Sequence, residues 1–173
     1  MIDLKPLVHR ILEDYALPWH GTHGLGHWAR VLENGLRLAQ GTEAKVEIVR
    51  LFAVFHDSRR VNESVDDWHG RRGADLAVEL RGDLFDLPDD DFDLFYEACA
   101  AHTDGLIEGD ITVQVCWDAD RLDLGRVGMV PEPKKLCTPA AKAPKMLKWA
   151  DGRAGFEVVP ELVKGEWGID LGG

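Results

Sequence analysis

The stretch 48-IVRLFAVFHD-57 decides the fold class of this sequence. Nearly all of its residues before His56 are apolar, with Arg50 as the exception, and a helix that is apolar on nearly all sides lies buried at the centre of a domain. The stretch ends in His56 and Asp57, so a carboxylate enters the interior. A buried charge is costly unless it is paired or bound to a metal ion. We therefore expect a central helix that carries a His-Asp pair to a polar site.

Helical patterns continue on both sides of this stretch. Apolar residues recur at helical spacing before Pro18, over residues 24–39 and 66–82, and again over 88–105. The segment 111-ITVQVCW-117 is ambiguous, because its β-branched residues suit a strand as well as a buried helix. In an otherwise helical chain we favour a helix, and the expected fold class is all-α.

The composition changes after Gly128. The segment 129-MVPEPKKLCTPAAKAPK-145 is rich in proline and predicts an extended arm from Pro131 to Pro144, with a short helix and a weakly patterned tail behind it. The arm is a candidate lid, a plain surface loop or a homodimer contact. We expect a helical bundle over residues 1–130 and an irregular Pro-rich extension over 131–173 that packs on the same domain.

Length and composition are those of one globular domain. The chain has 173 residues, of which 45% are hydrophobic and 29% charged. Its net charge of -11 argues against general nucleic-acid binding and against binding to an anionic membrane. No secretory signal is legible, and no apolar run approaches the roughly 20 residues that span a bilayer. The sequence therefore predicts a cytoplasmic protein, in which Cys99, Cys116 and Cys137 are reduced thiols.

Three of the seven histidines lie in the stretch 19-WHGTHGLGHWARV-31. Others occur at His56, His69 and His102, and the acidic segment 118-DADRLD-123 follows an apolar one. Taken alone, a helical histidine is more often an ordinary core or surface residue than a metal ligand. His56 and Asp57, however, point about 100° apart on a helix, so they share one site most easily when each reaches a different ion. Their pairing suggests two metal ions.

These elements, taken in order, resemble a known family. The HD superfamily of metal-dependent phosphohydrolases carries an ordered H…HD…D pattern on a helical bundle, and three segments resemble it: HWARV (27–31), FHD (55–57) and DADRLD (118–123). HGRRGADLA (69–77) resembles the binuclear branch of that superfamily. HTDG (102–105) resembles the bacterial HD hydrolases that cleave symmetric dinucleoside tetraphosphates. The resemblance covers roughly three-fifths of the chain.

The resemblance implies a metal centre formed by six side chains: His27, His56, Asp57, His69, His102 and Asp120. Asp57 would be the carboxylate that bridges two ions. Asp120 is preferred to Asp118 because the ADRL frame matches the family, and either Asp118 or Asp123 is expected to orient a ligand from behind. The mixed nitrogen and oxygen donors suit one or two divalent ions of Fe, Mn, Co or Zn better than Mg or Ca.

Five further side chains are candidates for substrate binding: Arg60, Arg59, His23, His20 and Arg121. Arg60 takes the place of a lysine that the binuclear branch carries three residues after the aspartate of its HD pair. The resemblance therefore makes Asp57 and Arg60 the expected catalytic residues. Arg59 and Arg60 also suit an ordinary helix C-terminus. His23 precedes His27 by four residues; it is a rival ligand, a substrate contact together with His20, or part of a solvated loop.

The function that the resemblance implies is hydrolysis of a phosphate ester or anhydride of a nucleotide or similar small molecule, by a hydroxide activated on the metal ions. The ions would also supply the positive charge that draws a phosphate to an acidic protein. The same ligands suit a di-iron oxygenase, and a single ion would suit the mononuclear HD 5′-nucleotidases. A metal-stabilised domain without catalysis is a further alternative, against which six intact polar ligands argue.

Overall fold

The computed structural model describes residues 1–171, and within them every regular element is helical. The α-helices are α1 (Leu4–Glu13), α2 (Leu25–Ala39), α3 (Val46–Phe55), α4 (His69–Leu80), α5 (Asp89–Ala100), α6 (Ile111–Arg121), α7 (Pro139–Lys142), α8 (Pro144–Gly155) and α9 (Leu162–Gly165). Two short 3-10 helices span Leu124–Val127 and Pro133–Lys135. None of the helices in this part of the chain is long and apolar enough to cross a membrane. The predicted all-α class is confirmed.

Helix α3 lies at the centre of the bundle. Its residues from Ile48 onward are buried except Arg50, and it packs against α1, α2, α4, α5 and α6. Phe55 contacts Phe95 of α5 with 5.6 Å between ring centroids. This packing confirms the prediction of a central helix. The His-Asp pair that follows the helix is buried as well, since neither residue is more than 2% exposed.

The ambiguous segment at 111–117 is helical. Helix α6 begins after Asp110, whose carboxylate accepts a hydrogen bond from Thr112 N (2.7 Å), as the N-cap residue of a helix does. Trp117 is buried and donates its indole N–H to Ala98 O in α5 (3.1 Å). These contacts fix α6 against α5 and bring the acidic segment that follows to the interior.

The C-terminal segment is irregular, as predicted, but it is not an extended arm. Thr138 caps the one-turn helix α7, and Pro139 and Pro144 lie in the first turns of α7 and α8, where a proline fits because no N–H is needed. Asp118 holds this segment to α6, since its carboxylate accepts hydrogen bonds from Cys137 N and Thr138 N (2.7 Å each). Helix α8 is longer than expected and packs on α2. A domain boundary at residue 130 stays a prediction.

Candidate metal centre

A first group of ligand atoms lies where α2, α3 and α6 meet. His27 Nε2 is 3.0 Å from His56 Nε2 and 3.4 Å from both Asp57 Oδ2 and Asp120 Oδ1. His56 Nε2 is 3.8 Å from the same two oxygens. Three of these side chains are at most 2% exposed, and that of Asp120 is 17% exposed. We call His27, His56, Asp57 and Asp120 the first ligand group.

A second ligand group uses the other oxygen of Asp57. Asp57 Oδ1 is 3.0 Å from His69 Nε2 and 3.7 Å from His102 Nε2, and these two nitrogens are 3.0 Å apart. His69 begins α4, His102 follows α5, and all three residues are buried. Since Oδ2 faces the first group and Oδ1 the second, the geometry of Asp57 suits a carboxylate that bridges two ions.

The outer ring nitrogen of each histidine faces an oxygen acceptor. The Nδ1 distances are 2.7 Å from His27 to Asp123 Oδ2, 3.0 Å from His56 to Phe52 O, 2.6 Å from His69 to Asp66 O and 2.8 Å from His102 to Cys99 O. Backbone carbonyl and carboxylate oxygens accept hydrogen bonds and do not donate them. Each Nδ1 therefore carries a proton, and each ring, whenever it is neutral, turns its Nε2 lone pair toward the centre.

In both ligand groups, hydrogen-bond acceptors therefore face one another: the Nε2 atoms of the histidines and the carboxylate oxygens. Two imidazole lone pairs 3.0 Å apart, beside carboxylate oxygens, repel one another unless a positive charge lies between them. A proton or a metal ion supplies that charge. Imidazole nitrogen with carboxylate oxygen is a donor set for Fe, Mn, Co or Zn, and the hydrogen-bonded Nδ1 atoms are the usual support of metal-binding histidines. The residues fit a metal centre.

Burial and mutual charge control the ionisation of Asp57 and His56. Burial alone would raise the pKa of Asp57, but the surrounding imidazoles, with His56 contributing most, hold its pKa well below the usual value. Burial lowers the pKa of His56 to about 3. At neutral pH the carboxylate is ionised and the imidazole neutral, which are the states that bind metal.

His27 and His102 behave in the opposite way. Burial opposes the charge on His27, but carboxylates, including Asp120 and Asp123, outweigh burial and raise its pKa to about 9. Burial is outweighed at His102 as well, and the hydrogen bond with Asp57 contributes most to its raised pKa. Without metal, the first ligand group thus holds a proton at neutral pH at the place that a cation would take, and the raised pKa of His102 favours a proton in the second group.

Two glycines of α4 allow the second ligand group to form. A Cβ at Gly70 would lie 2.3 Å from Cys99 O and 2.7 Å from His102 Nδ1, and a Cβ at Gly73 would lie 2.2 Å from Phe55 O. Side chains at these positions would push α4 away from α3 and α5. The close approach of the three helices keeps the ligand at the start of α4 near the other two.

Asp123 supports the first ligand group from outside. Its carboxylate accepts a hydrogen bond from His27 Nδ1 and binds Arg30 through Nε and Nη2 (2.7 and 3.0 Å). Asp118, the other residue expected to orient a ligand, binds the backbone around Thr138 instead. Arg30 lies one helical turn after His27, and sequence reasoning gave it no role.

Arg60 lies beside the second ligand group. Its Nη1 is 3.2 Å from His69 Nε2 and 3.7 Å from Asp57 Oδ1, and its Nη2 donates to Ser64 O (2.5 Å). The guanidinium is buried and fixed next to the atoms that would hold a metal ion. This position suits the predicted contact with a substrate phosphate.

The other two candidate arginines contact different parts of the fold. Arg59 donates to Ile11 O in α1 (3.3 Å). Arg121 donates to Leu106 O (2.7 Å) and Lys135 O (2.9 Å), and so ties the C-terminal segment to the loop after α5. Of the three arginines singled out from the sequence, the structure brings Arg60 to the ligand groups and pairs the other two elsewhere.

His23 is buried beside the first ligand group without belonging to it. Its Nδ1 is hydrogen-bonded to Glu63 Oε2, and its ring centroid is 6.2 Å from that of His27. Burial lowers the pKa of His23, so the ring is neutral at neutral pH. His20 is exposed and lines a cleft next to His27. No local motif marks Glu63, and sequence reasoning missed it.

Arg126 is a further cation near the site that sequence reasoning missed. Its Nη2 is 3.9 Å from Asp120 Oδ1, its Nη1 is 3.9 Å from Asp123 Oδ2, and its Nε donates to Thr22 O (3.2 Å). The signal was present as spacing, since Asp120, Asp123 and Arg126 recur every third residue and so share one face of a helical segment.

One cleft opens beside each ligand group. The larger has a volume of about 460 Å³ and adjoins the second group; its lining includes Arg60, Val65, Trp68, His69, Arg71 and Thr103. The smaller has a volume of about 170 Å³ and adjoins the first group; its lining includes His20, His27, Arg30, Arg126 and Glu157. Both clefts combine a metal-site histidine with arginine, which suits an anionic ligand, although the wall of the larger cleft also includes Asp66, Asp67 and Asp104.

The fold is similar to that of a solved protein. The crystal structure of a predicted HD superfamily hydrolase from an uncultured Thermotogales bacterium matches with a TM-score of 0.62 and 27% sequence identity. The match covers 94% of this chain and 88% of that one, so it includes the C-terminal segment as well as the central bundle. No protein-family model and no curated protein sequence matches the chain.

Proposed function

We propose that this chain is a metal-dependent phosphohydrolase of the HD superfamily, because its fold is similar to that of a predicted HD superfamily hydrolase and its buried histidine and aspartate groups could hold metal ions. Its substrate is a phosphate ester or anhydride of a nucleotide or of a similar small molecule. The Thermotogales protein, described as a predicted HD superfamily hydrolase, supports the hydrolase part of this proposal.

The proposal rests above all on Asp57, whose two oxygens belong to different ligand groups. In the proposed centre the first group would hold one divalent ion and the second group would hold another, and Asp57 belongs to both groups. Two ions about 3.5–4 Å apart are a recurrent arrangement in phosphatases and nucleases. When bound, such ions lower the pKa of water and stabilise negative charge on phosphate oxygens.

The charges of the chain support a phosphate substrate. The protein carries a net charge of -11, so an anion needs local positive charge to approach the site. Arg60 lies beside the second ligand group and Arg126 beside the first. We assign these two side chains to the non-bridging oxygens of the substrate, where a guanidinium donates two parallel hydrogen bonds.

His23 and Glu63 provide a place for a proton near the first ligand group. With its Nδ1 proton donated to Glu63, the neutral His23 ring keeps a lone pair on Nε2, which has no hydrogen-bond partner among residues 1–171. This nitrogen is proposed to accept a hydrogen bond or a proton from substrate or water. His20, on the wall of the smaller cleft, is kept as a proposed substrate contact.

Two alternatives differ from this proposal in their requirements. A mononuclear 5′-nucleotidase would have no use for His69 and His102, so the second ligand group favours a binuclear enzyme. A di-iron oxygenase would use the same ligands but would depend on dioxygen. Metal content and dioxygen uptake therefore separate the three.

The test is phosphate release by protein reconstituted with Mn, Fe, Co or Zn, against mononucleotides, dinucleoside polyphosphates and sugar phosphates. Asp57→Asn should lower kcat/KM at least about 100-fold, because even residues behind a metal ligand are worth about 10- to 100-fold. Asp93→Asn, an exposed carboxylate on α5, is the matched control and should leave the rate unchanged. Metal-loaded protein that releases no phosphate from any substrate, with or without dioxygen uptake, would contradict the proposal.

A further inference from the structure

Trp68 has a backbone conformation that tryptophan rarely adopts. Its φ is 69° and its ψ is 3°, in the left-handed region. Glycine reaches this region freely and asparagine more easily than most, whereas a bulky side chain there is an outlier. Glu157, with φ at 49°, is the other non-glycine residue of this kind among residues 1–171, and it lines the smaller cleft.

Trp68 is also an unusual residue for the start of a helix. It is the N-cap residue of α4 but makes no side-chain cap hydrogen bond, whereas serine, threonine, aspartate or asparagine would do so. Its side chain is exposed, at 72%. A residue that breaks local preferences in conformation, capping and exposure at once is expected where function demands it.

The surrounding loop holds Trp68 in place. The carboxylate of Asp66 accepts hydrogen bonds from Val61 N (2.7 Å) and Arg72 Nη2 (2.6 Å), and Arg72 N donates to Trp68 O (2.9 Å). The loop before α4 is thereby fixed at both ends. The backbone that carries the indole therefore lies on a segment held by hydrogen bonds on both sides.

The position of Trp68 indicates what it could bind. It directly precedes His69 and lines the larger cleft with Arg60, Arg71 and Val65. A phosphate at the second ligand group and Arg60 would leave the rest of the substrate in this cleft. An exposed indole offers a flat aromatic surface of the kind on which nucleic-acid bases stack, at about 1–3 kcal/mol per base or about 5- to 150-fold in affinity.

We propose that Trp68 is a specificity-determining residue that stacks on an aromatic ring carried by the substrate. The enzyme would then favour phosphates of nucleosides or aryl groups over aliphatic phosphates. The inference rests on the proposed function, because it needs a phosphate at the metal centre. It goes further in naming the group that the larger cleft accepts and the residue that selects it.

A purely structural role for the left-handed turn is the competing explanation. Trp68→Gly separates the two, because glycine adopts the same turn without strain and removes only the ring. The thermal stability of this variant should equal or exceed that of the wild type. Trp68→Phe keeps a smaller aromatic face. Phe156→Ala removes an exposed aromatic (86% exposed) that does not line the cleft, and serves as the control.

Binding of two non-hydrolysable probes tests the inference without turnover. Phenylphosphonate and methylphosphonate share the phosphonate group and differ in the ring, and calorimetry under anaerobic conditions on Mn-loaded protein gives each Kd. Wild type and Phe156→Ala should bind phenylphosphonate at least fivefold more tightly than methylphosphonate. Trp68→Gly should lose this preference with the Kd for methylphosphonate unchanged, and Trp68→Phe should keep part of it.

Three results would overturn the inference. Equal affinity of the wild type for both probes would mean that the cleft has no aromatic subsite. Equal weakening of both probes by Trp68→Gly would mean that Trp68 acts only on the position of His69. Failure of metal-loaded wild type to bind either probe would contradict the proposed function itself, and this inference with it.

Discussion

Replacing Gly70 by alanine tests whether the close packing of α4 creates the second ligand group. The added Cβ would lie 2.3 Å from Cys99 O, whereas ordinary contact begins near 3.4 Å, so α4 and α5 must separate by about 1 Å. Neither neighbour yields easily, because the second one, the His102 ring at 2.7 Å, is buried and hydrogen-bonded to the Cys99 carbonyl.

The expected magnitude follows from this clash. Overpacking of a core costs about 1–3 kcal/mol, and alanine in place of glycine in a helix offsets up to about 1 kcal/mol. We expect the free energy of unfolding of metal-free Gly70→Ala to fall by about 1–2 kcal/mol, which lowers Tm by about 2–8 °C. A displacement of about 1 Å between His69 and His102 should also weaken binding of the second ion at least about tenfold.

The assay is thermal unfolding of the metal-free proteins followed by metal titration. The matched control is Gly152→Ala, a helical glycine in α8 whose added Cβ meets nothing within 4 Å; it should be stabilised by up to about 1 kcal/mol and bind metal normally. If Gly70→Ala unfolds at the same temperature as this control and binds the same amount of metal, tight packing of α4 is not what forms the second ligand group.

Three further predictions concern the surroundings of the ligands. Asp123→Asn removes the charged partner of His27 Nδ1 and should weaken metal binding about 10- to 100-fold; an unchanged Kd in a metal titration would exclude an orienting role for this carboxylate. Metal affinity should fall as the pH falls below about 9, because His27, with its pKa raised to about 9, and His102, with a raised pKa, must each lose a proton before they bind metal. Calorimetry in buffers of different ionisation enthalpy should show proton release at pH 7, and its absence would contradict these ionisation states. Arg60→Ala should raise KM for phosphate substrates by about 10- to 150-fold, the worth of a charged hydrogen bond. Arg59→Ala should leave KM unchanged, because that guanidinium contacts α1. If the two variants raised KM equally, both arginines would contact the phosphate, as the sequence allowed.

The parts of the fold and site that could be predicted are those with local signals. The apolar stretch before His56 is buried on nearly all sides only at the centre of a domain, and the two polar residues that follow it, His56 and Asp57, are buried with it. His27, His69 and His102 each lie within a short motif at or near a helix end. Such motifs can be recognised in the sequence without any knowledge of how the helices pack.

The parts that could not be predicted depend on contacts between distant residues. His23 pairs with Glu63, which is 40 residues away and lies in a loop without a motif. The conformation of Trp68 depends on the hydrogen bonds of Asp66, which no pattern in the sequence announces. The proline-rich segment is held by Asp118, a residue that the sequence marked as near the metal site instead.

The C-terminal segment illustrates the same limit. Its prolines suggested an extended arm, yet Pro139 and Pro144 occupy helix first turns, the position in a helix where proline is favoured. Sequence pattern alone does not distinguish a proline that begins a helix from one that prevents it. In this segment α8 packs on α2, with Trp149 between Arg37 and Arg153, and this packing stabilises a helix after Pro144.

The most direct test of a centre shared by two ions through Asp57 is the metal content of purified protein by elemental analysis. Wild type, His69→Ala and His9→Ala are compared, since His9 lies on α1 and contacts the Trp167 carbonyl instead of the ligand groups. We predict about two ions per chain in wild type and in His9→Ala, and about one in His69→Ala. About one ion in all three would contradict the binuclear centre, and no metal in any of them after reconstitution would contradict a metal-dependent enzyme altogether.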